Sequence, residues 1–225
     1  MATLRFMSIR LSPTISAAEL PKFRGAVISS AGRDNNLFHN HRGSGFDYRY
    51  PLVQYRIIGG QAALLCLNEG IEQMQSLLGG DFLLEPIKFG DREEQVVVED
   101  MRINEFDLRL LDSPIRYHIS RWIAFNQDNY RLWQSLETDE ERLAKLNSLL
   151  IGNIISFAKG VGWQIDERIE VAIDPSTLDM RRSFYKGRRL LAFNADFATN
   201  VFLPRGIALG KNVALGTGVI SIPHE

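Results

Sequence analysis

The order in which helical and strand-like patterns follow one another in the first half of the chain most constrains its fold. Ser16-Ala17-Ala18-Glu19 predicts a capping box that opens a helix, and the Gly59-Gly60 pair between two apolar segments predicts a β-hairpin. In chain order, the predicted elements are a strand at 4–11, a helix at 16–30, strands at 50–58 and 62–67, a helix at 69–78 and a β-rich stretch at 94–106. The order is therefore β-α-β-β-α-β.

The second half repeats part of this order with different residues. In chain order, it predicts a strand at 115–123, a long amphipathic helix at 139–158, and strands at 167–174, 188–194 and 197–203, the first two of these three joined by a basic hairpin. No second full-length helix precedes the glycine-rich end, so we predict an α+β chain of two tandem ferredoxin-like (RRM-like) domains, the second degenerate. The predicted domains are 1–108 and 109–225, because Asp107, Asp112 and Pro114 interrupt the pattern near the boundary.

Composition excludes several classes of protein. A chain of 225 residues that is 45% hydrophobic and 24% charged is globular. No apolar run is long enough to span a bilayer, and the first residues lack the apolar core of a signal peptide, so we expect a cytoplasmic protein without a membrane partner. The single cysteine, Cys66, excludes an intrachain disulfide and a multi-cysteine metal site, and we expect it to be a buried thiol.

Positive charge is concentrated at the end of the chain. The formal net charge is −1, which argues against a surface coated uniformly for nucleic acid. Residues 181–225, however, hold seven basic and two acidic residues, a net charge of +5 that leaves −6 for the rest. Any nucleic-acid contact is therefore expected at this basic end, which is also rich in glycine.

The segment at 209–218, here called the glycine-rich segment, reads Leu-Gly-Lys-Asn-Val-Ala-Leu-Gly-Thr-Gly. Glycine lets a chain turn sharply and bring backbone N–H groups close to an anion such as a nucleic-acid phosphate. A plain turn is the alternative. The spacing fits no P-loop, and residues 219–222 predict a strand where a dinucleotide site needs a helix, so a mononucleotide pocket is disfavoured.

The densest cationic stretch is residues 180–189, here called the basic hairpin. Its positively charged members are Arg181, Arg182, Lys186, Arg188 and Arg189. They can neutralise phosphates while Phe184 or Tyr185 stacks on a base, which suits single-stranded or hairpin RNA. The alternative is a solvated basic turn.

A His-x-His pair, His39 and His41, lies in the polar loop between the first helix and the strand at 50–58. A metal site would need further ligands from Asp34 or Asp47 in the same loop, and we expect no metal. Two interpretations stay open. The histidines are either solvated loop residues or a general acid–base pair, with Arg42 beside them to hold a phosphate.

The two ferredoxin-like units, the histidine-bearing loop and the glycine-rich segment together resemble the CRISPR-associated endoribonucleases that cut precursor CRISPR RNA within its repeats. That family ends in the pattern GhGxxxxxGhG, where h is apolar. Residues 208–218 fit its spacing with two departures, Ala208 for the first glycine and Thr217 for the second apolar residue. The segment Tyr-Pro-Leu-Val-Gln-Tyr-Arg at 50–56 is also similar to the strand that follows the catalytic loop in one branch of the family.

The resemblance implies a metal-independent and cofactor-independent cut in which a ribose 2′-OH attacks the scissile phosphate, leaving a 2′,3′-cyclic phosphate and a 5′-OH. His39 and His41 would be the catalytic acid and base, and Arg42 or Lys211 would stabilise the charge that develops. The residues expected to bind RNA are Arg42, Arg181, Arg182, Lys186, Arg188, Arg189, Gly210, Lys211, Gly216 and Gly218.

The partners that the resemblance implies are CRISPR repeat RNA, a second copy of the chain in a homodimer, and other CRISPR effector subunits. Because some relatives bind RNA without cleaving it, a catalytically silent RNA-binding subunit is the alternative function. A plain α+β interaction protein without a nucleic-acid role is a third hypothesis, and RNA binding at low salt separates it from the other two.

Overall fold

The computed structural model describes residues 2–31, 41–42, 45–46, 50–185 and 188–223, and of residues 41, 42, 45, 46, 183–185, 188 and 189 it describes the backbone alone. These residues form two compact units. One unit consists of Thr3–Asp107 together with Ala214–Gly216 and is here called the N-terminal unit. The C-terminal unit consists of Met1–Ala2, Leu108–Val213 and Thr217–Glu225.

The described residues of the first half of the chain form eight strands and two helices. In chain order these are β1 (Ala2–Thr14), α1 (Leu20–Ala31), β2 (His41–Arg42), β3 (Gly45–Phe46), β4 (Val53–Ile58), β5 (Gln61–Leu67), α2 (Glu69–Leu78), β6 (Ile87–Phe89), β7 (Arg92–Glu94) and β8 (Val98–Leu108). A 3-10 turn at Asp81–Leu83 follows α2. The main sheet has the order β4-β5-β1-β8, which is the strand order of a ferredoxin-like unit and confirms the predicted fold class.

The hairpin predicted at Gly59-Gly60 joins β4 to β5. Both glycines have positive φ, +59° and +83°, which a two-residue hairpin turn between antiparallel strands requires. The core of this unit is aromatic at its centre. The Phe23 ring of α1 meets the rings of Tyr55 and Phe89 edge to face at 6.2 and 6.1 Å. Cys66 is buried in this core, as expected, and burial raises the pKa of its thiol.

The predicted capping box at Ser16 is formed only in part. Ser16 N and Ser16 Oγ both donate to Glu19 Oε2, at 2.9 and 2.8 Å. Glu19 N donates to the Ser16 carbonyl oxygen instead of the Ser16 hydroxyl, so the reciprocal bond of a capping box is replaced by a turn. The helix α1 begins at Leu20, four residues later than predicted.

In the second half, the part of the chain that the structure describes forms five strands and two α-helices. In chain order these are β9 (Leu110–Trp122), α3 (Gln127–Ser135), α4 (Asp139–Gly160), β10 (Val171–Ile173), β11 (Asp179–Tyr185), β12 (Arg188–Val201) and β13 (Val219–Ser221). The sheet has the order β10-β12-β9-β13, with β11 paired to β12 as well, and these four pairs of strands are antiparallel. Between β12 and β13 the chain forms one short 3-10 turn, Val213–Leu215, so the second unit is degenerate as predicted.

Two asparagines fasten the long helix α4 to this sheet. Asn147 Oδ1 accepts a hydrogen bond from Ile173 N at 2.9 Å, and Asn153 Oδ1 accepts one from the Trp122 indole at 2.9 Å. The helix begins with a complete capping box, in which Thr138 and Glu141 each bond the backbone of the other. These bonds hold the buried face of α4 over the ends of β9 and β10.

Three predictions for the second half were wrong in detail. The strand expected at 167–174 is only Val171–Ile173. The two strands expected at 188–194 and 197–203 are one continuous strand, β12, because Asp196 faces His118 on the open side of the sheet instead of breaking the strand. The basic hairpin is formed by β11 and β12, whereas the prediction had it join the strand at 167–174 to the strand at 188–194.

Candidate nucleic-acid interface

The two predicted catalytic histidines belong to the N-terminal half of the chain. His39 lies outside the described residues. His41 and Arg42 form β2, which pairs with β3 so that His41 lies opposite Phe46 and Arg42 opposite Gly45. The backbone at His41 is thus held in a small antiparallel ribbon, and the catalytic role of both histidines stays a prediction.

The basic hairpin is a regular antiparallel pair of strands. β11 and β12 pair from Asp179, opposite Asn194, to Tyr185, opposite Arg188. This pairing includes Arg181, Arg182, Arg188 and Arg189, and the predicted RNA-binding Lys186 lies outside the described residues. Because side chains alternate between the two faces of a strand, Arg181 and Arg182 point to opposite sides of the ribbon, and both are exposed.

One of these arginines is already paired with a carboxylate. Arg181 Nε lies 2.6 Å from Asp179 Oδ2, and Asn194 Nδ2 donates to the same oxygen at 3.1 Å. These two hydrogen bonds, of which the one from Arg181 has the larger influence, hold the pKa of Asp179 below its usual range. The Asp179 carboxylate offsets part of the positive charge of the basic hairpin.

The glycine-rich segment is packed against the end of β9. Leu209 N donates to the carbonyl oxygen of Gly218 at 2.8 Å, which brings the two ends of the segment together. Gly218 N in turn donates to the carbonyl oxygens of Ser120 at 2.9 Å and Arg121 at 3.2 Å. The segment is thus a closed loop fixed to the sheet of the C-terminal unit.

Its interior is closed by two further hydrogen bonds. Lys211 N donates to Ile123 O at 3.0 Å, and Thr217 Oγ1 donates to Lys211 O at 2.5 Å. The backbone N–H groups of Leu209, Lys211 and Gly218 are therefore satisfied within the protein. A phosphate at this segment would have to be bound by other groups, of which the exposed Lys211 side chain is the charged one.

Sterics explain two of the glycines. Gly210 has φ +102°, and a Cβ there would lie 2.7 Å from Cδ1 of Trp122. Gly218 has φ +70°, and a Cβ there would lie 1.8 Å from the carbonyl oxygen of Leu209. Both positions require glycine for close packing. RNA binding by Gly210, Lys211, Gly216 and Gly218 stays a prediction.

Sequence reasoning missed two features of the C-terminal sheet. Arg121 has a left-handed backbone, φ +50°, and its N–H donates to Asn194 Oδ1 at 2.8 Å. His118, half-buried in β9, places Nδ1 2.7 Å from Asp196 Oδ1 on the neighbouring β12. Neither feature has a signal in the sequence. The conformation of Arg121 depends on a bulge, and the contact between His118 and Asp196 joins residues 78 positions apart through the register of two strands.

Two further properties concern metals and membranes. Within the described ranges, no group of three or more His, Cys, Asp or Glu side chains is arranged to hold a metal ion. No helix among the described residues combines the length and the apolar character that crossing a membrane requires.

The chain is similar to several known proteins. It is 28% identical over 110 residues to an uncharacterized protein of Methanocaldococcus jannaschii, an alignment that covers 48% of this chain and 73% of that protein. A crystal structure of Cas6b matches with TM-score 0.83 and 24% identity over 99% of this chain and 100% of the other. A crystal structure of the CRISPR RNA processing endoribonuclease Cas6b matches with TM-score 0.72 and 22% identity over 97% and 98% of the two chains.

Family models match both halves of the chain. The Cas6b N-terminal domain matches residues 2–107, and the Cas6b C-terminal domain matches residues 109–222. Together the two matches account for nearly all of its length, and the chain therefore belongs to the Cas6b family.

Proposed function

We propose that this chain is an endoribonuclease that cleaves precursor CRISPR RNA within its repeats, without a metal ion. The observation that carries the proposal is the match of both Cas6b domains in one chain that also bears the His39-Asn40-His41 motif. The similar fold of the CRISPR RNA processing endoribonuclease Cas6b supports it.

In the proposed reaction, the 2′-oxygen of the ribose before the scissile bond attacks the phosphorus, and the bond from phosphorus to the 5′-oxygen breaks. One of His39 and His41 takes the proton of the 2′-OH, and the other gives a proton to the departing 5′-oxygen. The products are a 2′,3′-cyclic phosphate and a 5′-OH, so no water molecule is consumed. Arg42 would stabilise the additional negative charge on the phosphate oxygens as the phosphorane forms.

The C-terminal unit would bind the RNA strand. The exposed guanidinium groups of Arg181 and Arg182 and the exposed ammonium group of Lys211 suit a polyanion, since phosphate contacts dominate the affinity of proteins for nucleic acids. Repeat RNA is the proposed partner. A homodimer and a complex with other CRISPR effector subunits stay predictions, which sedimentation with and without RNA would test.

A cleavage assay in EDTA tests the proposal. End-labelled RNA with the sequence of a CRISPR repeat is incubated with the wild type, with His39→Ala/His41→Ala and with His118→Gln. The wild type is expected to produce cyclic-phosphate ends. The double variant is expected to lose at least about 100-fold in rate while its RNA affinity stays near that of the wild type, because acid–base groups typically contribute about 10²- to 10⁴-fold. His118→Gln keeps a hydrogen-bond donor toward Asp196 and should cleave normally.

Each alternative has its own result. An RNA with 2′-deoxyribose at the cleavage position should be bound but not cut, and its cleavage would contradict attack by the 2′-OH. Full activity of the double histidine variant would remove the two catalytic assignments. Tight binding by the wild type without any cleavage over long incubation would identify a catalytically silent RNA-binding subunit.

A further inference from the structure

Arg121 adopts a backbone conformation that is unfavourable for arginine. Three non-glycine residues have positive φ in the described part of the chain: Asn68, Arg121 and Asn212. Asparagine visits the left-handed region readily because its short polar side chain hydrogen-bonds locally, whereas the longer side chain of arginine brings no such benefit. Glycine at position 121 would adopt the same φ of +50° without steric cost.

The conformation arises from a bulge in β9. Ile119 pairs with Ala195 and Trp122 pairs with Phe193, so β9 uses three residue steps where β12 uses two. The additional residue bends the strand, and bulges of this kind redirect a side chain and often lie beside functional sites. The Arg121 side chain is exposed.

The bulge is held from two sides. Arg121 N donates to Asn194 Oδ1 at 2.8 Å, and Arg121 O accepts from Gly218 N at 3.2 Å. Asn194 lies directly opposite Asp179, at the base of the basic hairpin, and Gly218 closes the glycine-rich segment. Arg121 is therefore bonded through its backbone to Gly218 of the glycine-rich segment and to Asn194, which lies on β12 five residues beyond the basic hairpin.

β11 and β12 carry one carboxylate each, Asp179 and Asp196. Asp179 is bonded to Arg181, and Asp196 lies 2.7 Å from His118. Arginine presents five N–H donors in a planar fork that matches phosphate oxygens, and it can hold more than one acceptor at a time. The guanidinium of Arg121 is thus suited to a phosphate whatever else it contacts in the RNA-free protein.

We propose that Arg121 is an RNA-binding residue that contacts a backbone phosphate where the strand passes from the basic hairpin to the glycine-rich segment. The strain of a left-handed arginine is tolerated here because the guanidinium is needed at this place, and strained residues are concentrated at functional sites. The inference rests on the proposed function and extends it to a residue on β9.

The experiment exploits the strain. Arg121→Gly removes the guanidinium and relieves the backbone, so it should keep or raise the melting temperature while it weakens RNA binding. The probe is a labelled single-stranded RNA with a CRISPR repeat sequence, titrated by fluorescence anisotropy at several KCl concentrations. The dissociation constant should rise about threefold to tenfold, and the slope of log K against log salt should fall by about one.

Two further variants complete the test. Arg121→Asn, neutral and tolerant of positive φ, should show the same loss of affinity. Arg168→Ala removes an exposed arginine elsewhere on the C-terminal unit and should leave the salt slope unchanged. Unchanged affinity and slope in both Arg121 variants, with normal binding by the wild type, would overturn this inference alone. If the wild type binds no RNA at low salt, the proposed function fails and the inference fails with it.

Discussion

The sequence predicts RNA binding for both the glycine-rich segment and the basic hairpin, but the two differ in how their side chains are packed. In the first, Gly210 and Gly218 pack against neighbouring atoms, and the backbone N–H groups of Leu209, Lys211 and Gly218 bond within the protein. In the second, Arg181 and Arg182 project from a two-stranded ribbon into solvent. Packing dictates the residue type in the glycine-rich segment and does not select arginine in the basic hairpin.

Because of this difference in packing, substitutions in the two segments should change different measured quantities. A substitution of Gly210 or Gly218 changes the free energy of unfolding first, and any loss of RNA binding follows from that. A substitution in the basic hairpin leaves the fold intact and changes the affinity for RNA directly. The comparison can therefore be tested by measuring unfolding and RNA binding on the same variants.

The largest effect is expected for Gly218→Ala. The new Cβ would lie 1.8 Å from the carbonyl oxygen of Leu209, and the residue would keep a φ of +70° that alanine disfavours. Because the clashing atom belongs to the backbone, it cannot rotate away. We expect the free energy of unfolding to fall by about 4 kcal/mol, measured by urea denaturation.

The matched control is Gly152→Ala on α4. Apart from the backbone of α4 itself, no atom lies within 4 Å of a Cβ at this exposed position, so alanine should stabilise the protein by about 0.5–1 kcal/mol. Equal stability of Gly218→Ala and the wild type would show that the segment is an open loop, and the contrast with the basic hairpin would be lost.

Much of the N-terminal unit could be predicted from the sequence because its elements follow simple periodicities. The alternation at 4–11 and the helical spacing at 69–78 each match an observed element, since one face of each is buried in a single core. The hairpin at Gly59-Gly60 was predictable because both positions need positive φ.

The C-terminal unit was harder to predict because several of its positions depend on partners distant in the sequence. Asp196 resembles a strand break until His118 is placed opposite it. The bulge at Arg121 has no sequence signal, because such positions are normally marked by glycine. The role of Gly218 depends on Leu209, which approaches it only after the segment has folded.

A smaller effect, confined to RNA binding, is expected for Arg182→Ala in the basic hairpin. The exposed side chain contributes little packing, so the free energy of unfolding should stay within about 0.5 kcal/mol of the wild type. Loss of one phosphate contact should weaken repeat-RNA binding about threefold to tenfold and lower the salt slope by about one. Arg102→Ala, at an exposed position on β8, serves as the charge control. Equal RNA affinity in both variants would count against the hairpin as an RNA-binding surface.

The smallest expected effect is a gain in RNA affinity and not a loss. Asp179 holds Arg181 at 2.6 Å, a hydrogen bond that lowers the pKa of the carboxyl, so the carboxylate both occupies a guanidinium and repels phosphate. Asp179→Asn should therefore strengthen RNA binding about twofold to fivefold, the range expected for one exposed ion pair. Asp100→Asn is the matched control, since Asp100 pairs with Arg102 at the same two-residue spacing on a strand of the N-terminal unit. An equal gain in both variants would assign the effect to net charge, whereas a gain in Asp179→Asn alone would place the RNA at the basic hairpin.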